Sequence, residues 1–212
     1  MELATCIAKA EELIQWLDSQ IDGVEIPSEL RSRVAGGCLD VTLEHQKAIV
    51  LLVAQRLYGS AFALARLTFE AYVRGVWLHQ CATDIEIKKF EAETLKRIFA
   101  SLLSDIEKLD SFRSGILSAV KKKSLPAMNS FTHTGFSQVV RRNKEGSIEP
   151  NYDEGELLEI VNFAGGLGIM AAVEIAHLAN NKVLANALLE KAKEISSLSP
   201  NHPMHPTAGS GG

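Results

Sequence analysis

Three charged side chains recur at one-turn intervals in a strongly apolar stretch of the chain. Arg66, Glu70 and Arg74 lie at i, i+4 and i+8 within SAFALARLTFEAYVRGVWLHQC, residues 60–81. On a helix this spacing stacks them on one face, with Phe62, Val73, Trp77 and Cys81 alongside. A charge in an apolar setting is costly unless an opposite charge and hydrogen bonds meet it. Glu70 can answer either arginine, but two arginines against one glutamate leave a positive charge over. Glu174, the only charge between Asn162 and Ala176, is the expected internal partner and should approach Arg66 or Arg74. The alternative partner is an external phosphate or carboxylate, which guanidinium forks suit. The face is therefore either a network that fixes helix register or the floor of an anion site.

A second concentration of chemistry is Asn129-Ser130-Phe131-Thr132-His133-Thr134-Gly135. His133 is the candidate catalytic residue, as a general acid or base, and Asn129 a candidate ligand-binding group. The same residues could instead cap helix ends at a break. Lys121 to Lys123 and Arg141-Arg142-Asn143-Lys144 bracket this segment. They are solvated helix ends unless the fold makes them converge, in which case they form a positive surface suited to RNA. His45, His79, His133 and His177 are scattered. A di-iron bundle needs Glu-x-x-His twice; only Glu174-Ile-Ala-His177 fits, so no metal and no cofactor are expected. P-loop, nucleophile-elbow and His-Glu-x-x-His patterns are absent.

The elements that must position these groups read as helices. Residues 3–21 carry apolar side chains at a 3.6-residue period, ended by Asp22-Gly23. Residues 29–57 form one long helix, or two broken at Gly36-Gly37, with Ser28 as N-cap and Val41, Ala48, Ile49, Leu52 and Val53 facing inward. Tyr58-Gly59-Ser60 is the joint into the Arg66 helix, making an antiparallel hairpin. Further helices are expected over 86–90, 93–109 and 111–120, with Pro126 starting another and Gly135 dividing the segment after it. Residues 145–153 are a polar connection. The helix over 154–179 carries Ala164, Gly168, Ala172 and Ala176 four apart, a stripe that admits a close neighbouring backbone. A last helix spans 183–195.

With 46% apolar residues in 212, the chain can build a full core without staples. Its net charge of −4 disfavours sequence-independent binding to nucleic acid, though not a local basic patch. Cys6, Cys38 and Cys81 lack any Cys-x-x-Cys pairing and read as reduced thiols. No signal peptide or transmembrane stretch of roughly 18 apolar residues is expected; Phe163 to Ala179 comes nearest and is interrupted by Glu174 and His177. A cytoplasmic protein is expected.

ARLTFEAYVRGVWL followed by SFTHTG resembles bacterial families of unknown function that pair a central Arg-x-x-x-Glu helix with a downstream Ser/His segment. These are similar to the HEPN-like all-helical class of toxin–antitoxin and phage-defence systems. The resemblance implies that Arg66, Glu70 and His133 are signature positions. Ribonucleases of that class resemble one another in an Arg followed four to six residues later by a His on one helix; no Arg of this chain is expected to precede a His at that distance, which argues against metal-independent ribonuclease activity. The expected fold is all-α: a single-domain up-and-down bundle of six or seven helices over residues 1–198, then a disordered tail, 199–212. The expected function is a non-catalytic interaction or regulatory domain that self-associates, with a protein partner or RNA as further candidates. The alternatives are a ribonuclease or nucleotide-processing enzyme using His133, and a small-anion sensor.

Overall fold

Every long apolar segment of the chain becomes a helix in the computed structural model, which describes residues 2–144 and 146–198. Nine α-helices occur among these: α1 (Glu2–Ile21), α2 (Leu30–Ala54), α3 (Tyr58–Gln80), α4 (Asp84–Glu91), α5 (Phe99–Ile106), α6 (Ile116–Thr132), α7 (Phe136–Val140), α8 (Glu154–Leu178) and α9 (Lys182–Leu198). The expected six or seven is too low because short α4, α5 and α7 stand as separate elements. The sequence shows no strand pattern, yet β1 (Asn143–Lys144), just before the expected polar connection, and β2 (Ser147–Ile148), inside it, form a two-residue antiparallel ladder. The tail over 199–212 lies outside the described residues.

α2 and α3 make the central hairpin. α2 is continuous through Gly36-Gly37 and starts one residue after Glu29, not at Ser28. Its inner face is Leu39, Leu43, Gln46, Ile49, Val50 and Val53, whereas Val41 points outward at 40% exposure. The hairpin is tight where Gly75 of α3 meets Leu39; a Cβ on Gly75 would lie 2.7 Å from a Leu39 methyl. Arg31 closes the far end of the hairpin. Its guanidinium donates to the carbonyls of Leu78 (2.9 Å) and Ala82 (2.6 Å) and to Asp84 Oδ1 (2.7 Å). Those carbonyls belong to the unsatisfied C-terminal turn of α3, where a cation is also favoured by the helix dipole.

α8 packs across this pair, with α1 and α9 on its other sides and α5 and α6 against α3. By length and composition α8 could cross a membrane, and 61% of its apolar window is buried inside the protein. Ala164, Gly168, Ala172 and Ala176 are all buried, as their spacing predicts. At Gly168 the neighbour is Gln46 of α2, so close that a Cβ would lie 2.0 Å from Gln46 Oε1.

Helix ends follow local chemistry. After α2, α4 and α8 the chain turns through a left-handed residue, respectively Arg56 (φ 59°), Glu93 (φ 54°) and Asn180 (φ 52°). Each is followed by an amide returning to the last turn: Leu57 to Leu52, Thr94 to Lys89, Asn181 to Ala176. These are Schellman ends. The one at Glu93 explains why no helix spans 93–109: the chain leaves α4 there and resumes only at Phe99. α6 begins after Gly115 (φ 69°) and runs through Lys121 to Lys123 and past Pro126. Pro126 therefore does not start a helix; it lies exposed within one, where the carbonyl of Lys122, also exposed, loses only a bond that water replaces. Capping boxes open α4 at Thr83–Glu86 and α8 at Asp153–Glu156.

Candidate functional site

The Ser/His segment is the end of α6, and each of its residues has a positioning task. Thr132 Oγ1 bonds the carbonyl of Met128 (2.9 Å) and also that of Ala63 on α3 (3.2 Å), tying α6 to α3. His133 is the C-cap, its amide bonded to the carbonyl of Asn129 (3.1 Å). Thr134 takes a left-handed φ of 52°, strained for a β-branched residue. Gly135 turns back so closely on Ser130 that a Cβ would lie 2.6 Å from Ser130 Oγ. That hydroxyl then accepts the amide of Ser137 (3.1 Å), holding the start of α7. This explains the types Ser, Thr and Gly in the motif.

The turn delivers His133 to Arg66. Arg66 Nε donates to Glu70 Oε1 at 2.9 Å, and its Nη1 donates to His133 Nε2 at 3.2 Å. Because guanidinium is donor-only, His133 Nε2 must be unprotonated and the imidazole carries its proton on Nδ1. Arg66 and Glu70 side chains are 26% and 19% exposed, and His133 is exposed. Arg66, Glu70 and His133 thus meet at the surface, with Glu70 fixing the fork and the fork fixing the imidazole. Arg74 does not join them; it is exposed, a turn beyond the contact with α6. Asn129 is nearby in sequence but leaves its buried Oδ1 without a partner.

Glu174 does not approach either arginine. It lies at the other end of α3, 4% exposed, against His79 and Gln80. His79 Nδ1 and Gln80 Nε2 each donate to Glu174 Oε1 at 2.6 Å, and His177 Nδ1 stands 3.5 Å from Oε2. The expected charge match fails because Arg74 is solvated and needs no internal anion, while Glu174 is met by two imidazoles and an amide. Burial alone would raise the Glu174 pKa; hydrogen bonds from His177, His79 and Gln80 outweigh it and hold the carboxyl down at about 2. The bond to Glu174 in turn raises His177 above the ordinary 6.5, against its partial burial. Burial, then the charges of Asp105 and Glu174, push the Cys81 thiol up to about 11, so no thiolate nucleophile adjoins this cluster at neutral pH. Among the described residues no group of three or more His, Cys, Asp and Glu is arranged to hold a metal ion. Of the basic runs, Lys122 and Lys123 are exposed on α6, and Arg141 is paired with Glu156 on α8.

Residues 39–201 match a family of unknown function, DUF6988. The chain belongs to this family. The matched span begins inside α2 and includes Arg66, Glu70, His79, His133 and Glu174; α1 precedes it. No curated protein matches the chain, and no solved structure does.

His79 is the residue that the sequence reading passed over. It follows Arg74 with four residues between, Gly75-Val76-Trp77-Leu78, so the expectation that no Arg precedes a His at that distance is wrong. Its tie to Glu174 orients the ring, with Nε2 left as the basic nitrogen in the neutral form. The other omissions are the buried polar groups Ser32, Thr42, Gln46 and Thr68, which an apolar-periodicity rule skips.

Proposed function

We propose that this chain is a non-catalytic interaction domain that self-associates through the α7 and β1–β2 segment. The carrying observation is the exposure of large apolar side chains there: Phe136 at 82%, Ile148 at 85%, Val139 at 45% and Val140 at 41%. Apolar side chains gathered on one exposed segment mark an interaction surface. The segment is also held in place. Gln138 Nε2 donates to the carbonyl of Gly59 (3.2 Å), Arg141 pairs with Glu156, and Arg66 holds His133 at the preceding turn. In this reading the Glu70–Arg66–His133 cluster is a clamp that presents the surface. Its chemistry agrees, because the Nε2 lone pair of His133 is already engaged by a cation. The reading takes residues 1–198 as one domain with its long helices running up and down. Its setting is the cytoplasm of a bacterium, as part of a toxin–antitoxin or phage-defence system. Light scattering on the full chain tests it: a dimer that becomes monomeric in a Phe136→Ser, Ile148→Ser variant of unchanged helix content is expected. A monomer at every concentration defeats it.

RNA cleavage is the second reading, favoured by two observations: the 3.2 Å contact of Arg66 with His133 and the HEPN-like spacing of Arg74 and His79. Incubation with total RNA decides. Cleavage lost in His133→Ala or His79→Ala would replace the interaction reading; intact RNA removes the enzyme.

A further inference from the structure

A cleft of about 580 Å³ opens between the α2–α3 joint and α7. Its size falls within the range of about 300–1,000 Å³ typical of small-molecule sites. Among the described residues Arg56 and Arg142 are its only charged lining residues, and no acidic residue lines it. Neither guanidinium has an ion-pair partner among the described residues. In a chain of net charge −4, a cleft lined by two positive charges and no negative one is a local reversal. The wall between them is the first turn of α3, at Gly59 and Ser60. That helix is 23 residues long and starts behind Leu57, which has no side-chain acceptor to cap it. The amide of Ser60 is already bonded to the Leu57 carbonyl (3.1 Å), so what α3 offers the cleft is the positive end of its dipole.

Gln138 on the cleft wall donates through Nε2 to the carbonyl of Gly59 (3.2 Å), and its Oε1 has no hydrogen-bond partner among the described residues. Buried polar atoms in native proteins are rarely left so. Arg56 (φ 59°) and Thr134 (φ 52°), each left-handed where a helix ends, form parts of the wall. The remaining wall, including Leu57, Val139 and Pro150, is apolar.

We propose that this cleft binds a phosphate ester carrying a flat apolar body, a nucleoside diphosphate being the best-fitting class. The phosphates lie against Arg56, Arg142 and the start of α3, where charge-assisted bonds and the helix dipole act together. The ring lies against the apolar wall. The site shares Gln138 and Val139 of α7 with the self-association segment but none of Phe136, Val140 and Ile148, and binding there does not require association. A terminal phosphate of RNA offers the same chemistry, so the test carries both sources.

The experiment is calorimetric titration of the full chain with ADP, inorganic pyrophosphate and a short 5′-phosphorylated RNA. ADP is expected to bind, with pyrophosphate weaker. Arg56→Gln and Arg142→Gln each weaken ADP by about tenfold or more. Ser60→Glu places a carboxylate in the first turn of α3, so it abolishes binding while leaving the melting temperature the same or higher. Arg66→Gln, outside the cleft, leaves ADP affinity unchanged. Binding of the RNA more tightly than ADP, with the same variant pattern, assigns the site to a terminal phosphate. Failure of all three probes to bind at millimolar concentration overturns the proposal, as does affinity that survives Ser60→Glu.

Discussion

Replacing Glu174 by glutamine removes the only charged group that is fully buried among the described residues. The carboxylate is held at a pKa of about 2 against an ordinary 4.5. A depressed carboxyl stabilises the fold wherever it is ionised in the native state and would be protonated less readily there than in the unfolded chain. That contribution is complete above pH 4.5 and fades as pH falls toward 2. A gap of about 2.5 pH units corresponds to about 3.4 kcal/mol at 1.36 kcal/mol each. About 1.4 kcal/mol of it survives at pH 3 by the same linkage. Glutamine has the shape but not the charge; with its carbonyl oxygen kept toward His79 and Gln80, its amide nitrogen takes the place of Oε2 and faces His177 Nδ1. Glu174→Gln should therefore lose about 3 kcal/mol at pH 7, or about 6–12 °C in melting temperature for a chain of this size. Urea unfolding followed by the fluorescence of Trp77, which is 1% exposed, measures it at pH 7 and pH 3. The gap between wild type and variant should shrink by more than half at the lower pH. An equal gap at both values, or one under about 1 kcal/mol at pH 7, refutes the assignment of Glu174 as an ionised, hydrogen-bonded core carboxylate.

Other substitutions probe different parts of the fold. His177 has its pKa raised by Glu174, so its contribution is present below pH 6.5 and lost as pH rises through the raised value; His177→Ala should flatten that part of the stability–pH curve, and an NMR titration should place the wild-type midpoint above 6.5. Gly168→Ala drives a methyl into Gln46 and should cost about 1–3 kcal/mol; adding Gln46→Ala should recover most of it, and additive losses in the double-mutant cycle would disprove the contact. Arg31→Lys keeps the charge but not the fork that spans two carbonyls and Asp84, so it should lose about 1–2 kcal/mol in urea unfolding, and a neutral outcome would show that the end of α3 needs no clamp.

Helical class, the buried character of α3 and α8, and the Ala/Gly stripe of α8 were all readable from the order of residues. So was Gly135 as a break. These depend on side-chain periodicity and on residues with strong local preferences, which act through neighbours a few positions away. The course of α6 through Pro126 was not readable. A proline inside a helix is tolerated only where the freed carbonyl reaches water, and exposure is a property of the packed molecule. The left-handed Arg56, Glu93 and Thr134 were equally hidden, because each residue type ordinarily avoids that backbone. At the site, Arg66 and Glu70 belong together by helical spacing alone. That His133, 67 residues downstream, would complete the group was suggested only by motif resemblance and needed α6 to be laid against α3. The expected tie of Glu174 to an arginine failed for the same reason in reverse. Counting charges along a sequence identifies which groups need partners, but the choice among His79, Gln80, His177 and two arginines is made by which helix faces meet. Local order determines the helices and their apolar stripes; only the tertiary packing decides which polar groups those stripes bring within hydrogen-bond reach.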